Sequence, residues 1–393
     1  MQLGFVHFDR DDQKKYLAVL SRITEAGAID ELGIGRIRDF YSDLLFPGIS
    51  TLHQHAKYFA VLPLLYKEAV KYRYVRLGDV RGRIIELEKE LTRRLCDGSP
   101  GATGITGSEA LKSGGYVQYD PMYIYGTALR TYGIVKTENL ESAIFYASQK
   151  SHERPDKLPE SEKEQGDSTD TESYLGFCVC PSDIGYDWKE TCSLRLTPNE
   201  AAFVRSHILS SPACKESLLH YLLDNGIVLP DGPFESFILQ SEANLPSHLL
   251  VDVRLAGFVS DLVEGLFLRY NWLYSDRTDM DMLSRFDRWH VQTFLEEVAP
   301  ITSSVLRVRI SDRGTIQFCL RAIELMEKEN WPELDLLICK RERCIKGGRY
   351  KIGNTKSGFR YNPAAPVHDY KLQFRWSTVR TIVNEILGGL ADE

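Results

Sequence analysis

Apolar residues recur at helical spacing along most of the chain, and this pattern predicts a mainly α-helical protein. The spacing is clearest in residues 82–95, 248–274, 280–297 and 377–390. A further stretch, from about Leu52 to Tyr72, is apolar nearly all round between Tyr58 and Tyr66, which is typical of a helix buried in a protein interior. Pro63 lies inside that stretch and predicts a kink or an early end.

Short polar motifs predict where several helices begin. Thr197 precedes a proline and has Glu200 three positions later, which is the pattern of a capping box. Asp120 precedes Pro121, so it can cap a helix whose first residue is proline. Ser50 and Thr51 are candidate caps for the helix that starts near Leu52.

Few strands are expected, so we predict a mainly α fold with short strands at 3–8, after Ile134 and at 174–180. The predicted domains are a multi-helix N-terminal domain (1–97), a small unit resembling a helix-turn-helix or winged helix (98–150), and a helical C-terminal domain (174–393). Between them, residues 151–173 hold eight acidic and three basic residues and no aromatic residue. This composition predicts a mobile linker.

Charge adds one distinctive segment. The chain has 393 residues and a net charge of −7, which argues against a wholly basic coat protein but allows a local basic face. Residues 340–360 contain eight basic residues and a single acidic residue, Glu342. Tyr350 and Phe359 lie among them, and Tyr361 follows directly. Such a mixture suits a phosphate backbone with exposed bases, whereas the alternative is a solvated loop that pairs with the acidic body of the protein. The bases of this predicted loop are Lys340, Arg341, Arg343, Lys346, Arg349, Lys351, Lys356 and Arg360.

The sequence also predicts a cytoplasmic protein with no membrane association. Its N-terminus lacks the apolar run of a signal peptide, and no stretch approaches 18 uncharged apolar residues. Eight cysteines are sparse and irregularly spaced, which favours reduced thiols. Cys178, Cys180, Cys192 and Cys214 could in principle form a four-cysteine zinc site, but their spacing is not that of a zinc ribbon.

No complete catalytic set is visible, so we predict no catalytic residue, metal or cofactor, and an enzyme is the less favoured class. Asp39 and Asp43 share a predicted helix face and could hold magnesium, or form a solvated face beside nearby arginines. His53 and His55 form a pair, but a metal site needs three or four ligands. These four residues would be the first suspects in a divergent metal-dependent nuclease or toxin-like effector.

Several stretches, in order along the chain, resemble an uncharacterised family of bacterial proteins associated with anti-phage defence gene neighbourhoods. They include Gly35 to Asp39, Asp43 to Gly48, Ser50 with Thr51, Lys57 to Phe59 before Tyr66, Tyr123 to Ile134, Gly265 to Asn271, and Phe374 to Trp376. His55 and Lys57 stand where the family pattern usually has arginine, and the match is poor from Ile134 to about Thr197. The resemblance implies an accessory protein encoded near helicases, nucleases or methyltransferases.

Together these observations predict a non-catalytic accessory component of a bacterial defence assembly. It would bind DNA, a helicase, nuclease or ATPase subunit, or both. The alternatives are the nuclease or toxin-like effector and a pure assembly scaffold. The residues predicted to meet phosphate are Arg36, Arg38, His55 and Lys57, together with the eight bases of 340–360.

Overall fold

The computed structural model describes residues 30–152, 176–182, 187–241, 244–298, 313–355, 358–368 and 370–391. Fourteen α-helices lie within these ranges. The first seven are α1 (Gly35–Leu45), α2 (Lys57–Val70), α3 (Leu77–Gly98), α4 (Ser108–Lys112), α5 (Pro121–Thr131), α6 (Leu140–His152) and α7 (Pro198–Ser210). The others are α8 (Leu218–Asp224), α9 (Phe234–Ser241), α10 (Ser247–Tyr274), α11 (Met280–Trp289), α12 (Arg313–Glu327), α13 (Trp331–Lys346) and α14 (Trp376–Leu390).

The protein is mainly α-helical, as predicted. No strand is present in the described part of the chain, and Val135 forms a single antiparallel bridge with Cys178 where two short strands were expected. Lys136 N donates to Phe177 O and Val179 N to Ile134 O, so the two segments do pair, but over one step only. The predicted strand at 3–8 lies outside the described residues, as does all of the predicted linker 151–173 except its first two residues, which end α6.

Two compact units divide the chain. Unit 1 comprises Met1–Tyr41 and Val251–Phe374, and unit 2 comprises Ser42–Leu250 and Arg375–Glu393. Each unit therefore joins segments that are far apart in sequence. The domain boundaries predicted from sequence divide the chain differently and stay a prediction.

The core of unit 2 is built around α2, which is buried on nearly every side, as its composition predicted. It packs against α3, α5, α6 and α7, while α14 packs against α7 and α8. The helix begins at Lys57 rather than near Leu52, and it continues through Pro63 to Val70, so the predicted early end is wrong. Ser50 accepts a hydrogen bond from Leu52 N within the preceding turns and does not cap α2.

Two predicted helix starts in unit 2 are confirmed. Thr197 accepts a hydrogen bond from Glu200 N at 3.2 Å, and Glu200 accepts one from Thr197 N at 2.9 Å, which completes the capping box of α7. Asp120 caps α5 by accepting from Tyr123 N at 2.9 Å, with Pro121 as the first helical residue.

Unit 1 contains most of α10, together with α11, α12 and α13. The predicted helix over 280–297 consists of α11 followed by a π-helical segment, His290–Val298. Arg269 lies buried on α10, donates to Asp335 at 2.7 Å, and has its guanidinium 4.3 Å from the Trp272 ring centre. None of the described helices is long and apolar enough to cross a membrane.

Candidate functional site

The basic segment 340–360 is not a loop throughout, which corrects the prediction. Residues 340–346 form the last turns of α13. Asn330 caps the start of this helix, and Pro332 lies in its first turn. A short 3₁₀ turn, Gly347–Arg349, then reverses the chain. The helix forms because Leu334, Ile338 and Glu342 recur every four residues on its buried face.

The acidic residues of this region point inward. Glu342 is fully buried and accepts hydrogen bonds from Tyr270 Oη at 2.6 Å, Lys351 N at 2.8 Å and Ile352 N at 3.1 Å. Glu31 is buried as well and accepts from Lys351 Nζ at 2.8 Å. Burial alone would raise the pKa of Glu31, but the hydrogen bond from Lys351 and the charges of Lys351 and Lys346 lower it overall.

Three of the predicted phosphate-binding bases hold unit 1 together. Lys346 Nζ lies 3.5 Å from Glu31, beside the Lys351 contact. Arg341 donates to Leu32 O at 2.8 Å and to Thr315 Oγ1 at 2.7 Å. These bonds attach the segment before α1 to α13, so the three side chains are engaged inside the unit.

The other described bases of the segment are exposed, and unit 1 also has exposed aromatic rings. Phe359 precedes Arg360 and is 38% exposed, and Tyr370 is 60% exposed. The Arg343 guanidinium lies 5.0 Å from the Tyr350 ring centre. Lys356 lies outside the described residues. The exposed bases are Lys340, Arg343, Arg349 and Arg360, and we call them the basic surface of unit 1.

Arg36 and Arg38, at the start of α1, are also exposed and also belong to unit 1. Arg38 pairs with Asp39 at 3.0 Å, and both side chains are about half exposed. Asp30 begins this part of the chain by accepting from the main-chain nitrogens of the next residues, among them Gly35 N at 2.7 Å. The two arginines therefore follow a short segment that packs on α13.

His53 is buried in unit 2 and serves the fold. Its Nδ1 accepts from Ser50 N at 3.2 Å and its Nε2 donates to Ile124 O at 3.1 Å, which defines a neutral ring. The ring stacks on Tyr125 at 4.6 Å. Burial, reinforced by the charge of Arg375, lowers the pKa of His53 to about 4 against the opposing hydrogen bond to Ile124.

His55 and Lys57 are also engaged within unit 2. His55 contacts Glu385 at 2.7 Å through Nδ1 and Thr103 O at 2.8 Å through Nε2. Burial opposes the charged ring, but these hydrogen bonds outweigh it and raise the pKa of His55. Lys57 is buried and donates to both carboxylate oxygens of Glu200, at 2.7 and 2.6 Å.

Asp39 and Asp43 do not meet the two histidines in a metal centre. Asp43 accepts from Arg375 at 2.6 Å, and His53 and His55 bind different acceptors. Within the described ranges, no group of three or more histidine, cysteine or acidic residues could hold a metal ion. The four cysteines considered above as a zinc site are free thiols and do not form such a group.

An arginine-lined cleft of unit 2 was not expected from the sequence. It has a volume of about 870 Å³ and lies between the loop 47–53 and one face of α5. Three arginines from separate parts of the chain line it: Arg81, Arg130 and Arg375. No local motif joins them, so periodicity and spacing could not have found this arrangement.

A family comparison assigns the chain to a group without assigning an activity. A family model described as a family of unknown function, DUF6361, matches residues 1–282. The chain belongs to the DUF6361 family. Neither a search of curated proteins nor a search of solved structures found a match.

The DUF6361 match covers the two candidate sites unequally. It includes α1 and every residue that lines the cleft except Arg375. It ends before α13 and the segment 340–360. The basic surface of unit 1 therefore lies mostly outside the part of the chain that defines the family.

Proposed function

We propose that this DUF6361 protein is a non-catalytic DNA-binding component, and that the basic surface of unit 1 contacts the phosphate backbone. The observation that carries the proposal is the segregation of charge around α13. Glu31 and Glu342 are buried and bonded, whereas Lys340, Arg349 and Arg360 are exposed. The local surface is therefore more positive than the net charge of −7 implies.

Single-stranded DNA fits this surface better than a duplex. Phe359 and Tyr370 expose their rings within the same unit, and a base can stack on an exposed ring whatever its sequence. Arg360 directly follows Phe359, so one segment offers both a cation and a ring. We expect tighter binding to an unpaired oligonucleotide than to the same sequence as a duplex.

Titration against salt tests the proposal. Fluorescence anisotropy would compare the full chain with an Arg343→Gln, Arg349→Gln, Arg360→Gln triple variant on single- and double-stranded oligonucleotides. Removing three phosphate contacts should make the slope of log affinity against log salt less steep by about 2. The matched control changes three exposed bases of unit 2, with Arg73→Gln, Arg93→Gln and Lys215→Gln, and should behave as the unchanged chain.

Two results would contradict this proposal. One is a dissociation constant above about 10⁻⁴ M at low salt, weaker than ordinary non-specific binding. The other is equal loss in the triple variant and its control, since that would trace binding to total charge and not to this surface.

The defence context and a helicase, nuclease or ATPase partner are a separate part of the proposal, and the resemblance of the sequence supports them. Co-purification from a bacterial host with the products of neighbouring genes tests that part. Recovery of the chain alone, from cells in which those products are present and intact, would count against it.

A further inference from the structure

The arginine-lined cleft of unit 2 is large enough for a small organic ligand. Its volume of about 870 Å³ lies within the range of about 300–1,000 Å³ that is usual for small-molecule sites. Pro47, Gly48 and Ile49 form one side, and α5 forms the other. The basic surface in unit 1 does not include any residue of this cleft.

The three arginines are held with unequal strength. Arg81 is bonded to Asp120, which is buried and also caps α5, and it lies 3.8 Å from Glu141. Arg130, by contrast, has a carboxylate at 3.9 Å, that of Glu138, whose side chain is 96% exposed. An exposed pair at that distance contributes little, so an entering anion can replace Glu138 easily.

Arg375 is positioned by an unusual backbone. It has φ +66° and ψ 17°, a left-handed conformation that costs a residue other than glycine about 1 kcal/mol. Its guanidinium donates to Ile49 O at 2.5 Å and to Asp43 at 2.6 Å. Asp43 is 65% exposed, so its carboxylate can return to water when another anion arrives. Backbone strain of this kind collects at ligand-holding positions.

The cleft also has an apolar wall. Tyr123 is 61% exposed and Leu52 is 44% exposed, and both line the cleft. Tyr123 and Arg130 are two turns apart on α5, so they share one face of the helix. Gly126 lies between them on that face and, having no side chain, leaves the space open.

We propose that this cleft binds a small phosphate-bearing ligand with a planar ring, of the nucleoside monophosphate class. The phosphate lies against Arg130 and Arg375, because arginine presents paired donors that match its oxygens. The ring packs on Tyr123 and Leu52. This site is independent of the proposed DNA-binding surface, since the two lie in different units.

Calorimetric titration of the full chain with AMP and UMP tests the proposal. Adenosine and inorganic phosphate are titrated separately, so that ring and phosphate contributions are distinguished. Arg130→Gln removes the cation and should weaken nucleotide binding about tenfold or more. Gly126→Leu fills the cleft and should abolish binding. The fold should tolerate that change, because a Cβ at Gly126 meets only the Arg130 side chain, at an ordinary 3.7 Å.

The control is Lys215→Gln, which removes an exposed base of unit 2 that does not line the cleft and should leave nucleotide affinity unchanged. Melting temperatures of the ligand-free variants confirm that each is folded. Absence of binding by both nucleotides at about 1 mM would overturn the proposal. Undiminished affinity in both cleft variants, or adenosine binding as tightly as AMP, would overturn it as well.

Discussion

Replacing Lys57 by methionine should lower the free energy of unfolding by about 4 kcal/mol. Lys57 Nζ donates to both oxygens of Glu200 at 2.7 and 2.6 Å, and the lysine and glutamate side chains are almost inaccessible to water. Methionine has a similar length, so little packing is lost. The loss comes from two charge-assisted hydrogen bonds of about 2 kcal/mol each. Glu200 keeps the Thr197 N bond and is left as a buried charge without its cation.

Unfolding in urea, followed by circular dichroism, measures this change. The urea concentration at the midpoint should fall, while the slope of the unfolding free energy against urea concentration should stay constant. Lys71→Met is the matched control, because Lys71 pairs with Glu68 on the surface and should lose less than about 0.5 kcal/mol. Combining Lys57→Met with Glu200→Gln removes the unpaired charge while an amide oxygen can still accept from Thr197 N. That double variant should recover about 2 kcal/mol. A Lys57→Met loss no larger than that of Lys71→Met would refute the reasoning.

Four further substitutions probe the stability of unit 2, by the same urea unfolding or by thermal melting. His53 has a pKa of about 4 in the folded protein and 6.5 in the unfolded chain, so the unfolded chain takes up a proton at a higher pH than the folded one. The free energy of unfolding should therefore fall by about 3 kcal/mol as the pH drops from 6.5 to about 4. The fall should be smaller in His53→Phe. Burial, with the charge of Asp120, raises the pKa of Glu88 to about 8, so Glu88→Gln should gain up to about 3 kcal/mol near neutral pH, and the gain should vanish in acid. Gly48→Ala should lose about 2 kcal/mol, because φ is +80° and a Cβ would stand 2.8 Å from the Tyr132 ring, whereas Gly126→Ala should gain about 1 kcal/mol in melting experiments.

Local chemistry explains what the sequence predicted well. The capping box at Thr197 and Glu200 and the cap at Asp120 involve residues three positions apart, so their geometry is encoded within one turn. The buried character of α2 follows from its own composition. These features need no knowledge of the rest of the chain, and each was confirmed.

Distant contacts explain what the sequence missed. α2 starts at Lys57, and the preceding Ala56 N donates to Glu385, 329 residues away, at 2.6 Å, a partner that local sequence cannot indicate. α13 begins at an Asn330 cap and repeats buried residues every four positions, and the prediction of a basic loop at 340–360 took account of neither. The arginine-lined cleft needs residues 81, 130 and 375 together, which no spacing rule could bring out.

Burial of the partner separates two uses of basic residues that look alike in sequence. Lys57 and Lys351 neutralise the buried carboxylates of Glu200 and Glu31, so releasing either to bind phosphate would leave a buried charge unpaired. Five of the twelve residues predicted to meet phosphate are not fully exposed and are held by contacts inside the protein, three of them to Glu200 or Glu31; the five are His55, Lys57, Arg341, Lys346 and Lys351.

Salt dependence can therefore count the bases that act. Each phosphate contact with a single strand contributes about 0.7 to the slope of log affinity against log salt. The seven remaining residues limit that slope to about 5, whereas all twelve would give about 8. A measured slope near the higher value would contradict this count, either because internal bases such as Lys57 leave their carboxylates on binding or because bases outside the twelve reach the strand.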